Sequence, residues 1–184
     1  MADRKTRRAG FTLIELMMVV SIIGIISAVA IPSFLRFQLR AKRAEAFANL
    51  QAIGKAEKAY FAEYNAYIDI VGTFPGPVPG ANKRIWDAPS QLAFANTGWA
   101  PEGSVYFDYG VRVNNCPNQD CFTAEAYGNL DGDLFTSVLT YVHPNVGNVW
   151  ADEPLPIAPL FPPIDPSGNN IFDAVAVATP NNIF

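Results

Sequence analysis

The chain has 184 residues, half of them apolar, and a formal net charge of −4 at pH 7. That length suits one domain plus a membrane segment. Beyond residue 60 there are three basic residues, Lys83, Arg84 and Arg112, against thirteen acidic ones. An acidic distal half repels phosphate, which argues against nucleic acid as a partner, and suits a soluble, exposed head.

The first ten residues are cationic, with Arg4, Lys5, Arg7 and Arg8, and end on Gly10. Phe11-Thr12-Leu13-Ile14-Glu15 follows, and the twenty residues from Leu16 to Leu35 carry no charge. Twenty helical residues at about 1.5 Å each cross the hydrocarbon core of a bilayer. Glu15 sits just inside the N-terminal edge of the run. A carboxylate there is costly unless paired, and usually marks function; the plainer reading is a first-turn acid that complements the helix dipole. A secretory signal peptide shares the basic start, and Ala28-Val29-Ala30 offers an A-x-A site. Against it, Glu15 interrupts the apolar region, the charge-free run continues to Leu35, and Pro32 would stand second after the cut. An unprocessed anchor explains the hydrophobicity but not the Gly-Phe-Thr-Leu-Ile-Glu order. Arg36, Arg40, Lys42 and Arg43 follow the span, so the positive-inside comparison nearly ties.

The order Gly10-Phe11-Thr12-Leu13-Ile14-Glu15-Leu16, the short cationic leader and Pro32 late in the apolar run resemble the N-terminus of a type IV prepilin. The resemblance implies that a prepilin peptidase cuts between Gly10 and Phe11, discards residues 1–10 and N-methylates Phe11. Glu15 then stands fifth in the mature chain; it would pair with the N-terminal amine of an adjacent subunit and set axial register. Gly24 and Pro32 would be points where the helix bends or unwinds within a filament. The family fold is α+β: a long N-terminal helix, transmembrane and then amphipathic, packed on a small antiparallel β-sheet head. Implied partners are further copies of the chain and other pilins, the prepilin peptidase, the inner-membrane pilus assembly machinery, and membrane lipid before assembly. No cofactor is implied. The implied location is the bacterial inner membrane with a periplasmic head, then a cell-surface pilus.

Residues 11–64 read as one helix, about 80 Å long at its usual rise: a membrane or fibre-core half, 11–35, and an amphipathic half, 36–64. In the second half Leu50, Ile53, Tyr60 and Tyr64 recur on one face, with Glu57 the exception. The basic cluster Arg36–Arg43 sits where lipid headgroups or acidic neighbours would be. Residues 65–184 make the head. Its first part, 65–103, reads as loop, and Gly72-Thr73-Phe74-Pro75-Gly76-Pro77-Val78-Pro79-Gly80 is expected to hold no regular structure. Trp86, Phe94 and Trp99 should tuck that loop onto the body.

The sheet is expected over 104–142. Val105, Phe107, Tyr109, Val111 and Val113 alternate to one face of a first strand, Phe122 to Tyr127 forms a second, and Phe135 to Val142 a third. Together they read as a meander with its apolar face on the helix. Cys116 and Cys121 lie between the first two strands. A zinc half-site tolerates that spacing, but there is no second pair and His143 is the only histidine. A disulfide fits an exported head better, and its short loop would add only about 2 kcal/mol. Asn129-Leu130-Asp131-Gly132-Asp133 signals a turn; Asp131 and Asp133 are a weak calcium candidate because a full calcium loop needs more ligands. Residues 152–166 hold six prolines and read as a stiff, extended segment that wraps the head. Ile171 to Thr179 is a candidate edge strand.

No nucleophile motif, phosphate loop or metal cluster appears, and His143 reads as a strand-end surface residue. The sequence therefore points to a non-enzyme: a structural subunit of a type IV pilus. The alternatives are a pseudopilin of a type II secretion system or a minor pilin, and a membrane-anchored binding module that never polymerises.

Overall fold

The computed structural model describes residues 10–76, 80–132, 136–152 and 162–178. It divides into two compact units, Met1–Gln38 and Leu39–Phe184. One helix, α1 (Leu13–Tyr64), supplies the described ordered part of the first unit and the opening element of the second.

In the first unit α1 starts on a capping box. The Glu15 carboxylate accepts from the Thr12 N–H at 2.9 Å and from the Thr12 hydroxyl at 2.6 Å. Thr12 Oγ1 in turn accepts from the Glu15 N–H at 3.4 Å, the reciprocal closure of a T-x-x-E start. Ser21 and Ser33 return their hydroxyls to the carbonyls of Met17 and Val29, four residues back. The helix runs unbroken through Gly24 and Pro32.

In the second unit α1 buries Ala46, Leu50, Ile53, Gly54 and Glu57, at intervals of 4, 3, 1 and 3 residues. This is the core-facing stripe of an amphipathic helix. It differs from the expected face. Tyr64 is 58% exposed and stacks on Tyr60 instead, whereas Glu57 is fully buried. At 3.6 residues per turn Glu57 lies only about 20° from the Leu50 direction, so helical geometry places it in the core although its chemistry argues for solvent.

The main sheet is antiparallel throughout, in the order β1 (Ile70–Phe74), β4 (Asp108–Arg112), β5 (Phe122–Gly128), β6 (Ser137–His143), β7 (Val175–Val177). A second, two-stranded sheet pairs β2 (Arg84–Ile85) with β3 (Ser104–Val105). The apolar alternation over 104–113 holds, since Val105, Phe107, Tyr109, Val111 and Val113 are all at most 4% exposed. The run is nevertheless two strands in two sheets. At the crossing, the Tyr106 N–H leaves strand pairing and is taken by Glu45 Oε1 at 2.7 Å.

Several expectations for the head are corrected. The connection 65–103 is not all loop: it contains β1, β2 and a short helix α2 (Ala88–Ala93). Strand β1 includes Gly72, Thr73 and Phe74, which were expected to be irregular. It pairs Ile70 with Val111 and Phe74 with Tyr109, so its register shifts along the strand. Gly72 takes up that irregularity at φ +102°, a conformation open to glycine. Helix α2 starts on Asp87, whose Oδ1 accepts from the Ser90 N–H at 3.0 Å. Trp86, Phe94 and Trp99 do pack on the body, with ring centroids 5.1 to 5.5 Å apart and Trp99 5.5 Å from Tyr109.

The sheet is also covered on both faces. Every residue of β5 is buried, including Thr123, Glu125 and Tyr127 on the side away from Phe122, Ala124 and Ala126. Thr123 donates to the Ala151 carbonyl at 2.8 Å, and Tyr127 donates its hydroxyl to Glu125. Burying those polar groups costs little because they are hydrogen-bonded. The edge strand expected over 171–179 is present as β7, paired to β6 through Tyr141↔Val175 and Leu139↔Val177. Thr179, the strand start at Phe135, and Pro154, Pro156 and Pro159 of the proline-rich segment lie outside the described residues. At the end of that segment Asp165 closes a turn, its Oδ1 accepting from the N–H groups of Ser167 and Asn169 at 2.8 Å, so this part is bent rather than extended.

Candidate functional site

The site with a functional signature is the N-terminal end of α1 and the apolar surface that follows. Gly10 is exposed with open space around it, and Phe11 is 85% exposed. From Phe11 to Phe37 every Leu, Ile, Val, Met and Phe side chain is exposed, between 46 and 85%. A monomeric soluble protein rarely shows so large a contiguous apolar surface, and one of this size marks contact with lipid or another protein. The helix is long and apolar enough to cross a membrane.

Glu15 is the only charged residue described between Gly10 and Arg36. Its capping bonds to Thr12 hold the carboxylate at the mouth of the helix, where four backbone N–H groups lack helical partners. Thr12 had not been singled out from sequence, yet the T-x-x-E spacing is its legible signature.

The head carries the remaining candidates. Cys116 and Cys121 form a disulfide with Cα atoms 5.4 Å apart. It encloses a turn with Asn118 and Gln119 at positive φ (60° and 55°). The Gln119 carbonyl accepts from the Tyr67 N–H at 3.1 Å, and Asn114 and Asn115 both donate to Asp152 Oδ2, at 2.7 and 2.6 Å. The disulfide thus fixes a junction where the end of α1, β4, β5 and residue 152 meet.

His143 ends β6 as expected, but it is not a free surface histidine. Its Nδ1 lies 2.6 Å from Asp173 Oδ1, and its ring meets Tyr67 edge-on with centroids 5.6 Å apart. Asp173 also accepts from Lys58 Nζ at 2.7 Å and from the Tyr141 hydroxyl at 3.3 Å. Partial burial raises the Asp173 pKa, but Lys58 and His143 outweigh it and hold the carboxyl below the ordinary range. This cluster ties the chain before β7 to α1 and β6.

Besides Glu125, two carboxylates, Glu57 and Asp108, are fully buried. Burial pushes Glu57 up to about 7, although its Oε2 accepts from the Ile68 N–H at 3.0 Å. Burial likewise raises Asp108 to about 6 against the pull of Arg84, its ion-pair partner. Both hold backbone in place: Glu57 fixes the turn after α1, and Asp108 receives the Gly76 N–H at 3.2 Å.

Among the described residues no group of three or more His, Cys, Asp and Glu side chains is placed to hold a metal ion. Asp131 sits in the expected turn, where the Gly132 N–H donates to Asn129 Oδ1 at 2.8 Å. Asp133 lies outside the described residues.

Comparison with known proteins agrees with this geometry. Residues 5–31 match the family described as the prokaryotic N-terminal methylation motif. The chain is 56% identical to the type IV major pilin protein PilA of Myxococcus xanthus over 69% of this chain and 76% of the relative. It is 30% identical to the type IV major pilin protein PilE of Neisseria gonorrhoeae over 73% of this chain and 92% of the relative. A fimbrial protein of Neisseria meningitidis matches more locally, at 39% identity over 39% of this chain and 38% of its own length. With an apolar N-terminal helix, an antiparallel head and relatives matched over most of their length, the chain belongs to the type IV pilin family.

Proposed function

We propose that the chain is the precursor of a structural type IV pilus subunit. A prepilin peptidase cuts between Gly10 and Phe11 and methylates Phe11. The mature subunit then waits in the inner membrane, residues 11–35 spanning the bilayer and the head of residues 65–184 in the periplasm. Assembly machinery lifts it into a filament of further copies and other pilins, displayed at the cell surface. The observation that carries this reading is the continuous exposed apolar surface from Phe11 to Leu35, in which Glu15 is the one charged residue. Lipid covers such a surface before assembly, and copies of the same helix cover it afterwards, so extraction is compensated by packing between subunits. Glu15 gives a newly cut Phe11 amine on a neighbouring copy a charge partner. The Thr12 bonds it makes in the precursor leave one carboxylate to serve both arrangements. Gly24 and Pro32 supply the weak points at which the helix can open within the filament.

The test is the intact mass and N-terminal sequence of the protein from native membranes. A chain starting at methylated Phe11 supports the proposal. A start at Ile31 would mean a secreted protein without a fibre core, and an intact Met1 start would leave only an anchored head.

A further inference from the structure

Two cations of the second unit that are far apart in sequence are brought together by the fold. Lys42 on α1 and Lys83, just before β2, each place Nζ 5.0 Å from the centroid of the Tyr106 ring. Lys42 also donates to the Ala81 carbonyl at 3.4 Å. Lys83 thereby joins Lys42, whose neighbours along α1 are Arg40 and Arg43, and of the three basic residues beyond residue 60 it is the one whose side chain is about half exposed, at 48%. Arg84 is engaged by Asp108, and Arg112 by Asp69. Two carboxylates lie nearby. Glu45 is taken on both oxygens, by Lys83 at 3.4 Å and by the Tyr106 N–H at 2.7 Å; Glu102 shares the groove with Lys83. Burial and then the charge of Arg40 pull the Arg43 guanidinium below its ordinary pKa, so these cations crowd one another.

We propose that Arg40, Lys42, Arg43 and Lys83 form a collar that binds the phosphates of anionic phospholipid headgroups on the head side of the membrane before assembly. The proposal rests on the reading of Leu16–Leu35 as the membrane span. Chain connectivity selects lipid as the occupant. Arg40 is five residues beyond Leu35, about 8 Å along a helix and at most about 17 Å along any chain path. The headgroup layer adds about 5–7 Å to each side of the hydrocarbon core, and long basic side chains reach back across several ångströms. Every unassembled subunit therefore meets lipid phosphate at this level, whereas an acidic neighbouring head has to be brought there. Basic residues on the exported flank also run against the usual charge bias, which a lipid-binding role explains. Lys83 contributes only because the fold delivers it, so it separates a built collar from a run of helix charges.

The experiment is native mass spectrometry of the full chain in detergent, titrated separately with phosphatidylglycerol and phosphatidylcholine. Phosphatidylglycerol should bind several-fold more tightly and lose that preference in high salt. Lys83→Gln and Arg40→Gln should each weaken it about fivefold, the usual contribution of one cation at an anionic surface, while Lys83→Arg should retain it. Equal binding of the two lipids, or a phosphatidylglycerol preference untouched by Lys83→Gln, overturns the collar. So does a salt-sensitive dimer in phosphatidylcholine that Lys83→Gln dissociates, because the collar would then serve a second copy. Insertion into phosphatidylcholine vesicles is measured alongside. If the chain fails to insert, the membrane reading falls; if it inserts without lipid preference, only the collar does.

Discussion

Glu15 and Thr12 close the first turn of α1 on each other, the carboxylate accepting from both the N–H and the hydroxyl of Thr12 at 2.9 and 2.6 Å. The carboxylate proposed above to pair with a neighbouring subunit's amine is thus bonded to its own helix in this structure. A charge that must change partners can be separated from one that merely caps by comparing the two residues.

Glu15→Ala should lower the yield of sheared filaments while leaving the level of membrane-inserted protein unchanged. Thr12→Ala removes the local hydroxyl partner and leaves the carboxylate, so assembly should persist. Intact mass on both variants checks that Phe11 is still released. Equal assembly defects would reduce Glu15 to a cap.

Glu57 gives the head a pH dependence of definite sign. Its ordinary value of 4.5 rises to about 7 in the folded head, so the folded state holds the proton more tightly. The stabilisation is full below about 4.5 and is lost as pH rises through about 7, on the order of 3 kcal/mol in all. Thermal unfolding of the detergent-solubilised protein should show this decline, and Glu57→Gln should flatten it. A parallel decline in Glu57→Gln would assign it to Asp108, which is raised in the same direction.

Gly54 inverts the usual helix rule. Alanine normally stabilises a helix relative to glycine by up to about 1 kcal/mol. Here a Cβ would meet Tyr141 ring carbons at 2.8 Å, and Tyr141 is itself buried in the core. Gly54→Ala should therefore destabilise the head by about 1–3 kcal/mol, the range for overpacking, as read by denaturant midpoint. A stabilised variant would mean that the helix can shift off the sheet.

Reduction of Cys116–Cys121, or the double change to serine, should cost about 2 kcal/mol, since the closed loop is short. The loss should appear first as faster hydrogen exchange at the Tyr67 N–H, whose acceptor is the Gln119 carbonyl inside the loop. Unchanged exchange there would show that the junction is held by Asn114, Asn115 and Asp152 instead.

The sequence by itself determined the membrane half of α1, its capped start and the strands β5 and β6. Each is written locally: twenty residues without charge, a T-x-x-E spacing, and runs of alternating or apolar residues whose period fixes the element before any packing occurs. Tertiary structure decided the rest. Glu57 is buried because helix geometry turns it toward a sheet built from residues far along the chain. Strand β1 exists because β4 offers an edge that accepts its irregular register, which no local pattern around Gly72 announces. Residues 104–113 divide between two sheets because Glu45, on α1, satisfies the Tyr106 N–H at the crossing. Lys83 reaches Lys42 by the same kind of long-range contact around Tyr106. Local propensity is legible in one dimension, whereas burial, partner choice and charge clustering depend on which distant segments meet.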